Sequence, residues 1–100
     1  MINYILVKHR VKSFPEWKKV YDANLAERLE AGLVEKYLFR GIDNLNNVII
    51  VFETTDLASA KAFLDASEAR ESREKGGVVD RPEIYFLNEP PDALAKASGF

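Results

Sequence analysis

The 100-residue sequence predicts one α+β domain with a four-stranded antiparallel sheet and elements in the order β-α-β-β-α-β. Three observations predict it. Four short β-prone runs are separated by turn formers, two stretches carry helix start signals and helical apolar spacing, and residues 33–53 read as a hairpin between the helices.

Residues 2–11, Ile2-Asn3-Tyr4-Ile5-Leu6-Val7-Lys8-His9-Arg10-Val11, are rich in β-branched and aromatic side chains and end at a turn, so they form the first strand. Ser13-Phe14-Pro15-Glu16 fits the capping box S-x-x-E. Ser13 is placed to accept from the third helical amide, and Pro15 sits in the first turn, where its missing N–H costs nothing. Phe14, Trp17, Tyr21, Leu25 and Leu29 then recur at spacings of three and four, one apolar face of a helix that Gly32 terminates. In the second strand, residues 33–41, Tyr37 and Phe39 share one face and Leu38 and Arg40 the other. The turn-rich 41–47 segment leads into Val48-Ile49-Ile50-Val51-Phe52 as the third strand. Asp56 caps a second helix bearing Leu57, Ala60, Phe63 and Leu64. The charged stretch from Ser67 to Lys75 continues as a solvated helical piece with pairs Glu71–Lys75 and Arg70–Glu74, and Gly76-Gly77 ends it. Glu83-Ile84-Tyr85-Phe86-Leu87 is the fourth strand. Residues 1–89 form the domain and 90–100 a tail after Pro90-Pro91.

Right-handed crossovers place the first and third strands at the centre of the sheet, a ferredoxin-like arrangement. The third strand does not alternate: Val48, Ile50 and Phe52 lie on one face and Ile49 and Val51 on the other. Two helices cover only one face of such a sheet. The second apolar face calls for a second copy, so a homodimer is expected.

Composition narrows the function classes. A formal charge of −2 gives no basic footprint for nucleic acid. No run of about 18 apolar residues exists to span a membrane. The first residues lack a charged segment and a small-residue cleavage site, so a cytoplasmic location is expected. Without cysteine there are no disulfides or thiolate chemistry, and a single histidine excludes a histidine-only metal cluster within one chain. Gly76-Gly77 alone makes no phosphate loop, and no serine near His9 sits in a nucleophile elbow.

Val11-Lys12-Ser13-Phe14-Pro15-Glu16-Trp17, Tyr21-Asp22, Tyr37 to Val48, Ala60 to Ser67 and Gly76-Gly77-Val78 together resemble the motifs of small dimeric α/β-barrel proteins of the antibiotic-biosynthesis-monooxygenase-like superfamily, over residues 4–87. The resemblance implies a barrel of two face-to-face sheets and a ligand cleft in each subunit. That superfamily spans cofactor-free quinone-forming monooxygenases, haem-degrading monooxygenases, polyketide cyclases, lactone isomerases and non-catalytic binding domains, so fold alone selects no activity. Its haem-degrading branch carries an Asn, a Trp and a His. Asn3 fits, but Trp17 and His9 lie in the first half of this chain and not the second, so no haem, other cofactor or metal is expected.

Five residues are candidates for a site. His9, on the face of Ile5, Val7 and Val11, can exchange a proton near neutral pH, or serve as a hydrogen-bonded structural residue. Arg40, on an edge strand, can hold a developing oxyanion, or pair with Asp43 or Glu53. Trp17, Tyr21 and Tyr85 can bind an aromatic ligand, or pack. Asp22 and Arg28 read as surface residues. The expected function is binding of a small aromatic or polyketide-like compound, with cofactor-free oxygenation or cyclisation as the reaction. A non-catalytic ligand-binding module or a ligand-free stress-related dimer is the alternative.

Overall fold

The computed structural model describes residues 2–66 and 74–90. The expectations for 67–73, for the pairs Glu71–Lys75 and Arg70–Glu74, and for the tail beyond Pro90 lie outside the described residues. Among the described residues the elements are β1 (Asn3–Arg10), α1 (Phe14–Ala23), α2 (Leu25–Glu30), β2 (Val34–Arg40), β3 (Asn47–Thr54), α3 (Leu57–Asp65) and β4 (Glu83–Leu87). The sheet is antiparallel in the order β2-β3-β1-β4, which puts β1 and β3 at its centre as expected.

One face of the central strands is the core. Ile5, Val7, His9 and Val11 from β1 and its exit, with Val48, Ile50, Phe52 and Thr54 from β3, are all buried beneath the helices. Trp17, Leu33, Ala60 and Leu64 close over them. Each fully buried aliphatic side chain here contributes about 1.5–3 kcal/mol relative to leaving it in water. The opposite face carries Leu6, Ile49 and Val51, half-buried, and Tyr37, Phe39, Tyr85 and Leu87, all more exposed. No helix among the described residues covers it.

A bulge in β2 decides what that open face displays. Glu35 pairs with Phe52, yet Tyr37 pairs with Val51, so Lys36 is the extra residue. Without it Tyr37 would fall opposite Ile50, on the helix side. With it, Tyr37 and Phe39 stack on the open face, ring centroids 5.4 Å apart, while Glu35, opposite Phe52, lies on the helix side.

Two expectations about the first helix are corrected. Its N-cap is Ser13, but no side-chain cap bond forms; Pro15 is in the first turn as expected, and Glu16 pairs outward with Lys19 at 3.5 Å. The helix also does not run unbroken to Gly32. Asn24 turns the chain, its amide nitrogen bonded to the Tyr21 carbonyl at 3.2 Å and its side chain to the Val20 carbonyl at 2.8 Å. α2 therefore starts afresh and rotates Leu25 and Leu29 outward, 50% and 52% exposed, while Arg28 turns in at 7%. The helical spacing was read through a break, which Asn, a turn-forming residue, was able to make. Gly32 does end the helical segment, at φ +81°. Asp56 caps α3 as expected, accepting from the Ser59 amide at 3.1 Å and from its hydroxyl at 2.7 Å.

Candidate functional site

His9 sits near the end of β1, on the helix face, with 4% of its surface exposed. α1 follows after a short turn, so Trp17, one turn into the helix, returns over the strand end. Its ring meets the imidazole edge-on, with centroids 5.5 Å apart and planes at 62°. Trp17 is also 4% exposed. Tyr21, one turn further on, stacks against it at 4.7 Å with planes 21° apart, and Phe14 leans on its other side at 5.7 Å. Such pairs contribute about 0.5–1.5 kcal/mol beyond their buried area.

Two guanidinium groups border this aromatic row. Arg28 lies over the Tyr21 ring, 3.6 Å from its centroid, and donates to the Tyr21 carbonyl. Arg40 lies over Phe14 at 4.0 Å and donates from Nε to the Leu45 carbonyl at 2.8 Å. Neither Asp43 nor Glu53 holds Arg40; Glu53 instead takes Lys36 at 2.7 Å. The Tyr21 hydroxyl donates to Glu35 at 2.8 Å. Burial, and then that bond to a carboxylate, push the phenol well above its ordinary pKa. His9, Trp17 and Tyr21 thus form one contiguous row, with Arg40 reached through Phe14. Tyr85 stands apart: it pairs with Leu6 on the open face of the sheet. Arg28, read from sequence as a surface residue, is buried in the row. Asp22 is at the surface, paired with Lys18 at 2.5 Å.

A cavity of about 550 Å³ opens between the end of α3 and the start of β4. Leu64, Val78, Val79, Pro82 and Ile84 contribute apolar surface to its lining, and Asp65, Glu74, Asp80 and Arg81 contribute charged groups. Its origin lies in the strand register. Lys8 pairs with Glu83, and Val11 bridges to Val78. Between those two pairings β1 contributes His9 and Arg10, whereas the segment leading into β4 contributes Val79, Asp80, Arg81 and Pro82. The surplus arches out, tied back by the Asp80 carboxylate, which accepts from the Arg10 amide at 2.8 Å. His9 shares its face with Val7 and Val11, whose partners across the ladder, Ile84 and Val78, both line the cavity. His9 itself does not line the cavity, and neither do Trp17, Tyr21, Arg40 or Tyr85; the imidazole is packed under Trp17, one ladder position from the cavity-lining Val78 and Ile84. Reading the sequence residue by residue missed Leu64, Val78, Asp80, Arg81 and Ile84. The signal available was the long stretch between Gly77 and Glu83 that has to rejoin β1. Among the described residues no group of three or more His, Asp or Glu side chains is arranged to hold a metal ion.

The sheet order and the helices on one face define a ferredoxin-like α+β fold. Among solved structures, a "Putative antibiotic biosynthesis monooxygenase" from Bordetella bronchiseptica matches with a TM-score of 0.71 at 13% identity, over 89% of this chain and 97% of that one. SnoaB, a cofactor-independent oxygenase from Streptomyces nogalater, matches with a TM-score of 0.65 at 16% identity, over 91% and 98%. A conserved protein from Methanosarcina mazei Go1 matches with a TM-score of 0.69 at 15% identity, over 90% and 94%. No family model matches the chain, and no curated protein matches its sequence. At these identities the likeness establishes the fold alone.

Proposed function

We propose that the protein is a homodimeric small-molecule-binding α/β barrel that oxygenates or cyclises an aromatic or polyketide-like compound without a cofactor. The observation that supports this reading is the packing of His9, the sole histidine, edge-on against the Trp17–Tyr21 aromatic row, on a strand face whose neighbours Val7 and Val11 pair with the cavity-lining Ile84 and Val78. In the oxygenation, His9 accepts a proton from an activated ring CH2. The resulting carbanion gives one electron to O2, the two radicals combine to form the C–O bond, the His9 imidazolium returns its proton to the peroxide, and the hydroperoxide loses water to leave a ketone. Arg81 lines the cavity and Arg40 borders the aromatic row, so both are tested as partners of the developing oxyanion. The fold shared with a cofactor-independent oxygenase supports the same reading.

The second copy would cover the open face, where Tyr37, Phe39, Tyr85 and Leu87 lie between 42% and 51% exposed. Contiguous exposed apolar side chains of this kind mark surfaces that meet a partner.

A second reading is a binding module without catalysis. The 4% exposure of both His9 and Trp17 favours it, since core packing accounts for both. Oxygen uptake decides between the two. A panel of hydroxylated polycyclic aromatic compounds is offered in air to the wild type and to His9→Ala, Arg40→Ala and Arg81→Ala. The first reading expects uptake with at least one compound and a loss of about 10²-fold or more in His9→Ala. Binding of a compound without uptake selects the second reading. Neither binding nor uptake across the panel rejects both.

A further inference from the structure

Arg28 is the least expected residue in the molecule. A guanidinium 7% exposed, on a six-residue helix, has given up most of its hydration. An apolar side chain would fill the same space without that cost. What the guanidinium adds is a flat plate with donors in fixed directions. The plate lies 3.6 Å over the Tyr21 ring, while Trp17 stacks on the same ring at 4.7 Å. Two groups that close cannot share one face, so the phenol is held between them. Its hydroxyl is fixed as well, by Glu35 on β2 at 2.8 Å, which lies opposite Phe52 on the helix side of the sheet. Tyr21 is thus gripped from α2, from β2 and from its own helix. Trp17, next in the row, touches the imidazole edge-on.

We propose that Arg28 is a positioning residue: with Glu35 it clamps the Tyr21 ring, and through the Tyr21–Trp17 stack it sets the place and plane of the His9 imidazole. The proposal rests on the reading of His9 as the group that moves a proton. Its test needs no substrate, so the two fail separately. If Arg28 served only to hold α2 onto the domain, its loss would lower stability and leave the imidazole where it is.

The chain has one histidine and one tryptophan, so His9 ring protons and Trp17 indole signals are single and assignable by NMR. Packed against Trp17, the His9 ring protons carry a ring-current shift that reports the geometry. Arg28→Lys keeps the charge and removes the plate. It is expected to move the His9 ring signals towards their random-coil positions and to weaken the near-ultraviolet circular dichroism of the Trp17–Tyr21 stack. Glu35→Ala is expected to shift the signals in the same direction by less. Leu29→Ala, on the exposed side of α2, is the control and is expected to leave them unchanged. Folded Arg28→Lys with unmoved His9 signals overturns the proposal. Should Arg28→Lys not fold, Glu35→Ala at an exposed position carries the decision, and an absence of shift there overturns it equally.

Discussion

At His9 two readings of one side chain meet in a single environment. The face it shares with Ile5, Val7 and Val11 was legible in the sequence, because strand periodicity fixes which residues lie together. Its depth was not, since burial depends on Trp17 folding back over the strand end. Removing a ring that is 4% exposed leaves a void, so His9→Ala is expected to cost on the order of 1–3 kcal/mol in urea unfolding. Trp17→Ala removes a larger ring that touches Phe14, Tyr21 and His9, and about 3–5 kcal/mol is expected. Similar midpoints for the two variants would contradict the packing described. Arg28 marks the limit of sequence reading at this scale. A basic residue near a helix end reads as solvated, and only the Asn24 break, which rotates α2, turns it inward.

At the scale of elements, turns and caps decide more than periodicity. The four strands and the Asp56 cap were legible because each is specified locally by β-branched runs or by an Asp three residues before its Ser59 partner. The bulge at Lys36 and the arch from Val79 to Pro82 were not, since both arise from registers set by distant strands. Gly32 is one local device open to direct test. At φ +81° a side chain is strained, and a Cβ would also lie 3.3 Å from the Thr54 hydroxyl oxygen. Gly32→Ala is therefore expected to destabilise by about 1–2 kcal/mol, read from the urea midpoint. Asp56 supplies a pH signature. Its hydrogen bonds from the Ser59 hydroxyl and amide hold its carboxyl below the usual value, so the folded form binds the proton less tightly than the unfolded form. The stabilisation is present above the ordinary carboxylate pKa and is lost as pH falls through the lowered one. Wild type minus Asp56→Asn, followed by thermal unfolding, should show a difference that shrinks on acidification. A difference independent of pH between neutrality and pH 3 would contradict the cap.

At the scale of the whole molecule, the sheet has one covered and one open face. The doubly apolar third strand announced this in the sequence, where Ile49 and Val51 alternate with Val48, Ile50 and Phe52. In the structure Ile49 and Val51 are half-buried on the open face beside their cross-strand neighbours Phe39 and Tyr37, so a charge there would face whatever covers the sheet. Light scattering at micromolar concentration is expected to report a dimer for the wild type and a monomer for Val51→Asp, a buried unpaired charge costing several kcal/mol by rough estimate. A monomeric wild type would contradict the proposed assembly. The candidate site was legible only in part for the same reason of scale. His9, Trp17 and Tyr21 were named from the sequence, but none of them lines the cavity, which is made by the end of α3 and by residues that rejoin β1 out of step.

The central proposal is that this cavity binds an aromatic ligand next to His9. Methyl and aromatic NMR spectra recorded with the same panel of hydroxylated polycyclic compounds test it most directly. The account predicts that a binding compound perturbs Leu64, Val78, Val79 and Ile84 together with the His9 ring, and leaves Leu25 and Leu29 unchanged. Perturbations confined to the open sheet face, or none with any compound, would contradict it.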